Sequence, residues 1–201
     1  MGKMNLLKAN WTGKVGQTVG AKWKDKSTLR TFTKPANPDT QEQKTVRTGF
    51  GLMTSFVARF ADQLRYDSAL ATRGMSVRNA IIKLNKEQIS TGSFAKADLL
   101  ISKGGLQKPS GVTATGTRSG VNFAWTAPTA TNFTSDAEAI GVVVNEGEDI
   151  AIVGKAKVST RALAVAATLP AGNYDTYLYF LDYRGNNKVG SASVYTAVTI
   201  E

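Results

Sequence analysis

Residues 111–200 break into short apolar runs at near-regular spacing, and no other feature limits the possible folds of this chain as strongly. The runs are 111–117, 120–126, 139–145, 149–154, 158–168, 173–183 and 188–200. Turn-forming sequences separate them, among them Arg118-Ser119-Gly120, Thr126-Ala127-Pro128, Gly147-Glu148-Asp149, Pro170-Ala171-Gly172-Asn173 and Arg184-Gly185-Asn186-Asn187. Seven short strands with turns between them predict a β-sandwich, because one sheet alone leaves an apolar face in water and a second sheet covers it. Val121, Phe123 and Trp125 alternate, which places Trp125 in the core. From Tyr174 to Tyr183 both parities are apolar, which predicts a central strand covered on both faces.

Upstream the period changes from two to three and a half. Val46, Phe50, Met53, Val57, Phe60 and Leu64 step by 4, 3, 4, 3 and 4. That stripe predicts a helix with one apolar side, used as a core face or as a seam between molecules. Pro38 suits an early helical position, with Asn37 or Asp39 as a cap. Gly49 and Gly51 cost such a helix about 1 kcal/mol each against Ala, which points to close packing as their use. A second helix is predicted from Ser76, its cap, to Ile89, with Val77, Ala80, Ile81, Leu84 and Gln88 on one side. Phe94–Ser102 reads as extended. Nearer the start, Thr18–Trp23 and Thr28–Thr33 flank the polar turn Lys24-Asp25-Lys26, a hairpin pattern. A lone hairpin is marginal in water, so this one needs its own helices or a neighbouring subunit. Gly104-Gly105 and Lys108-Pro109-Ser110-Gly111 read as a linker. The expected architecture is therefore α+β: an N-terminal β-hairpin with two helices over residues 1–108, then a seven-stranded sandwich over 109–201.

The charge follows the same division. The 201 residues carry 25 Lys and Arg against 15 Asp and Glu, a net +10. Residues 1–50 contribute +7, residues 51–110 contribute +5 and residues 111–201 contribute −2. Lys14, Lys22, Lys24, Lys26 and Arg30 gather around Trp23 and Phe32 in the hairpin. Cations interleaved with aromatics suit phosphates and bases; they suit equally an acidic subunit or plain solvation. The chain has no cysteine and no histidine. Disulfides, thiolate zinc sites and Ser-His-Asp or Cys-His catalysis are excluded, and no catalytic residue, metal or cofactor is expected. Gly13, Gly16 and Gly20 lack the Lys-Ser/Thr ending and helix of a phosphate loop. Glu146, Glu148 and Asp149 form the densest acidic cluster, at a spacing that fits no calcium loop and reads as a solvated turn. The start reads as no secretion signal, and no run approaches the roughly 18 apolar residues of a membrane span. Synthesis in a cytoplasm without a membrane partner is the expectation.

Two resemblances add to this. Pro109-Ser110-Gly111-Val112-Thr113-Ala114-Thr115, Val121–Pro128 and Leu169–Phe180 make the C-terminal part resemble a fibronectin type III or immunoglobulin-like module. Gly13–Lys24, Lys34–Gln43 with Arg47, Ile101–Gly104 and Tyr177–Phe180 through Tyr195 resemble an uncharacterised family of Bacteroidota and their phages. That resemblance implies no activity and no site residues. It does imply a phage setting, with a virion protein made in the bacterial host cytoplasm and freed by lysis. The functional expectation is a non-enzymatic structural component of a phage particle, in the capsid, in the tail or as a decoration. Its partners would be copies of itself and other virion proteins. A basic nucleic-acid-binding protein is the alternative. An adhesin-like module using the loops Thr126–Asp136 and Arg184–Asn187 is a third reading.

Overall fold

The computed structural model describes residues 12–201 except 24–25, 35–38, 71–73, 93 and 186, and of Trp23 and Lys26 the backbone alone. The chain divides into two compact units, Met1–Thr40 and Gln41–Glu201. The expected boundary at residue 108 is therefore displaced to residue 40.

The first unit holds a three-stranded antiparallel meander where a two-stranded hairpin was expected. Its strands are β1 (Gly13–Val15), β2 (Thr18–Trp23) and β3 (Lys26–Thr31), in the order β1-β2-β3. Val15 pairs with Thr18 across a two-residue turn whose first residue, Gly16, has φ +57°. A tight hairpin turn requires that conformation, and glycine adopts it without steric cost. At its far end β2 pairs Trp23 with Lys26 of β3. Asn37 and Pro38, read as helix starters, lie outside the described residues.

The second unit opens with α1 (Gln41–Ala61). Met53, Phe56, Val57, Phe60 and Ala61 are buried along one side, and Leu64 follows them into the core from the turn beyond. Gly49 does pack closely: a Cβ there would lie 3.1 Å from the Ile89 carbonyl oxygen and 3.2 Å from the Gly92 Cα. Gly51 faces open space. The expected second helix is two helices. In α2 (Val77–Leu84) the Ser76 hydroxyl caps the start by accepting from the Asn79 amide at 3.3 Å; α3 is Lys86–Ser90. Asn85 stands between them and is buried. Its side-chain amide donates to the Ile81 and Leu100 carbonyls, each at 2.8 Å, and its oxygen accepts from the Leu100 amide at 2.9 Å. Those bonds fasten the segment after α3 against the helix break. That segment makes a 3-10 turn at Lys96–Asp98 before Leu99 and Ile101 enter the core.

Eight further strands form two antiparallel sheets, one strand more than expected because the last run is split. The smaller sheet has the order β4-β5-β8, with β4 (Thr113–Thr117), β5 (Gly120–Ala124) and β8 (Ala162–Ala166). The larger contains β6 (Glu138–Asn145), β7 (Ile150–Lys157), β9 (Gly172–Arg184), β10 (Asn187–Gly190) and β11 (Val194–Ile200). Its order is β10-β9-β6-β7, with β11 beside the first half of β9 on the edge that β10 takes beside the second. As the double parity predicts, β9 is central.

Parity along β6 and β9 explains why residues 41–201 form one unit. Ala139, Val143, Leu178 and Phe180 face the smaller sheet and pack with Val121, Phe123, Trp125, Leu163 and Val165. Trp125 is buried as expected, edge-on to Phe180 at 5.9 Å. The opposite parity, Ile140, Val142, Val144, Tyr177, Tyr179 and Leu181, packs with Met53, Phe56, Phe60, Leu64 and Ile81. The helices thus form a third layer over the outer face of the large sheet. The supposed linker is a further seam: the Leu106 amide donates to Gly190 at 3.1 Å and the Ile101 amide to the Ser193 hydroxyl at 3.0 Å.

Candidate functional site

The basic N-terminal sheet sorts its charges by register. Lys14 pairs with Val19 and Val19 with Arg30, so Lys14 and Arg30 belong to one face. Lys26, opposite Trp23, has the same parity. Lys22, opposite Ser27, belongs to the other face. Lys14, Lys22 and Arg30 are exposed, and the Lys14 ammonium sits 3.6 Å above the ring of Phe32, itself 41% exposed. Lys24 lies outside the described residues.

The helical stripe divides as well. Met53, Val57, Phe60 and Leu64 are fully buried, whereas Val46 is 41% and Phe50 49% exposed. The pattern continues through the first half of α1 after the covering layer has ended. Phe56, absent from the expected stripe, is the centre of an aromatic group with Phe60, Phe94 and Tyr177.

Polar clusters close the seam between the helices and the large sheet. At one, Lys96 pairs with Glu146 at 2.9 Å and Asp175 at 3.0 Å, while Tyr195 donates to Asp175 at 2.9 Å. The Tyr177 hydroxyl donates to the Lys96 carbonyl at 2.8 Å. At another, Tyr179 donates to the Asp67 carbonyl, Tyr183 to its carboxylate at 2.7 Å, and Lys155 lies 3.5 Å from that carboxylate. Burial, with Asp175 or Asp67 nearby, pushes the Tyr177 and Tyr179 hydroxyls well above the usual tyrosine range. Both stay neutral donors, which suits fastening and opposes use as a base or nucleophile. In the acidic turn, Glu146 is held by Lys96 and Asp149 by Arg59. Among the described residues no group of three or more acidic side chains is placed to hold a metal ion.

Of the loops considered for ligand binding, Thr126–Asp136 is fixed to the framework, and so is Arg184 at the start of the other. The Gln107 side-chain oxygen accepts from the Thr129 amide at 3.0 Å and the Ala130 amide at 2.8 Å. Asp182, fully buried in β9, accepts from the Thr134 hydroxyl, from its amide at 3.2 Å and from Arg184 at 3.0 Å. Burial pushes this carboxyl up, but the bonds from Thr134 and Arg184 outweigh burial and hold it below its ordinary 3.8. A lowered folded value stabilises the protein above the unfolded value and ceases to do so as pH falls through the folded one. Asp182→Asn should therefore cost about 1.5 kcal/mol near neutrality. The gap from wild type should narrow as pH falls through the carboxyl's lowered folded value; calorimetry at neutral and at strongly acid pH measures it. A cleft of about 630 Å³ lies between the end of α1 and the start of α2, lined by Asp62, Arg65, Met75 and Arg78.

Among the described residues, three helices and several antiparallel sheets define a β-rich α+β protein with a β-sandwich. A model of the family of unknown function DUF6266 matches residues 9–196, and the chain belongs to that family. A search of the curated proteins found no match. Among the described residues no helix is long and apolar enough to cross a membrane.

Proposed function

We propose that this chain is a non-enzymatic assembly protein whose N-terminal half makes contacts between copies. The observation that carries this reading is the first half of α1. Val46 and Phe50 keep the apolar spacing of the core residues beyond them, yet lie 41% and 49% exposed. Two edge strands of the N-terminal sheet, β1 and β3, offer further unpaired backbone groups among the described residues. The buried tyrosines and ion pairs at the helix–sheet seam are committed to structural bonds, which supports a role without catalysis.

The setting we propose is a bacteriophage particle, as a capsid, tail or decoration protein. That part rests on the family resemblance of the sequence. The sandwich itself we infer to be immunoglobulin-like. Its strand orders, β4-β5-β8 facing β10/β11-β9-β6-β7, support this, as does Tyr174 near the start of β9. The Tyr174 hydroxyl donates to the Pro170 carbonyl at 2.9 Å, the corner bond of such sandwiches. Fold of this kind leaves the role open, so the assembly reading stands on the surface and not on the likeness.

Size-exclusion chromatography with light scattering tests the reading. The full chain should run as a defined oligomer. Val46→Glu with Phe50→Glu should run as a monomer, with stability changed by no more than about 0.5 kcal/mol because both sites are surface positions. A wild-type chain that stays monomeric at the highest soluble concentration overturns the proposal.

A further inference from the structure

We infer that the Lys14–Arg30 face of the N-terminal sheet binds single-stranded nucleic acid. The inference is independent of the assembly reading and survives its failure.

Four cross-strand rows make up this face. They are Phe32 beside Gln17, then Lys14-Val19-Arg30, then Ala21-Thr28, then Trp23-Lys26. Phe32 marks one end of the face, and the cations Lys14 and Arg30 share the row beside it. From Gln17 to Trp23 the strand rises about 20 Å, long enough for several nucleotides of an extended strand. The small, uncharged Ala21 and Thr28 leave the middle of the face low.

Its charge is one-sided. From Thr12 to Lys34 the chain carries Lys14, Lys22, Lys24, Lys26, Arg30 and Lys34 against Asp25 alone. Lys14 is turned onto the Phe32 ring at 3.6 Å, an arrangement that a base can replace by stacking while the ammonium moves to the adjoining phosphate. Aromatic platforms flanked by cations on a small sheet take bases of any identity, since every base has a stacking face. Duplex DNA hides those faces, so the single strand is the form this surface fits. The opposite face, with Val15, Leu29 and Thr31 around Lys22, has neither an aromatic ring nor a cross-strand pair of cations among the described residues.

Fluorescence anisotropy of labelled oligothymidylate of about twenty nucleotides with the full chain is the test. Saturable binding at low salt is expected, with a log–log salt slope near −2 for three phosphate contacts at about −0.7 each. Lys14→Gln and Arg30→Gln should each weaken binding about five-fold and reduce the slope by about 0.7. Phe32→Ala should weaken binding at unchanged slope. Lys22→Gln, on the other face, should change it less than two-fold. Light scattering and circular dichroism on the same samples report assembly and folding separately. No binding at low salt overturns the inference. So does Lys22→Gln acting as strongly as Lys14→Gln, equal displacement by polyglutamate, or equal affinity for a duplex of the same length.

Discussion

Phe60→Ala should destabilise the protein by about 3–5 kcal/mol, and it should do so in the transition that also unfolds the sandwich. Phe60 lies on α1, far in sequence from every strand of the two sheets, and is fully buried. Its ring packs near Phe56 and Tyr177, the latter on the central strand β9. Removing it leaves a cavity between helix and sheet that rigid strands cannot collapse to fill. Because β9 carries Tyr177 and Tyr179 to one core and Leu178 and Phe180 to the other, loss of the outer layer uncovers the same strand that holds the sandwich together. Trp125 reports on the inner core. With Trp11→Phe and Trp23→Phe it is the remaining one of three indoles, so its fluorescence follows the sandwich alone. Urea titration of this background should show helical ellipticity and Trp125 emission changing together, both at lower urea in Phe60→Ala. Ellipticity lost first, with the Trp125 midpoint unmoved, would mean that helices and sandwich are separate folding units.

The sequence shows its strands well and their coverage poorly, for one physical reason. Turn residues and alternation are local, so β5, β6 and β9 stand within a few residues of the expected runs. Coverage depends on what arrives from elsewhere. Ile140, Val142 and Val144 declare that a second face of β6 is buried, without declaring that α1 buries it. A change of charge and a glycine-rich stretch near residue 108 then look like a domain boundary, although they coincide with a surface seam of one unit. The same limit divides the α1 stripe: Val46 and Met53 follow one spacing, yet only Met53 meets a partner layer. Asn85 breaks a continuous helical pattern through bonds to Leu100, and Asp182 is buried through bonds to Thr134; neither residue carries a local mark of its role. For the basic sheet, composition finds the cations, but only the register separates Lys22 from Lys14 and Arg30.

Gly104→Ala should destabilise the protein by about 3 kcal/mol, at the upper end of the cost of overpacking, whereas Gly105→Ala should be nearly neutral. The two glycines are neighbours in a stretch that composition marks as flexible linker, so a flexible-linker role predicts the same small effect for both. Their surroundings differ. A Cβ on Gly104 would lie 2.1 Å from the Gly190 carbonyl oxygen and 2.8 Å from its carbon, while one on Gly105 meets nothing within 4 Å. The obstacle is backbone, which no rotamer change removes. Nor can that backbone withdraw freely. The Gly190 carbonyl accepts from the Leu106 amide at 3.1 Å, and Ser191 beside it exchanges bonds with Phe180 in the central strand. Moving it means breaking the seam that ties the end of the helical layer to the β10–β11 edge. Thermal unfolding of the two variants side by side decides the matter. Equal midpoints would show that residues 101–106 are a tether, and the three-layer unit would then lack its hydrogen-bonded clasp.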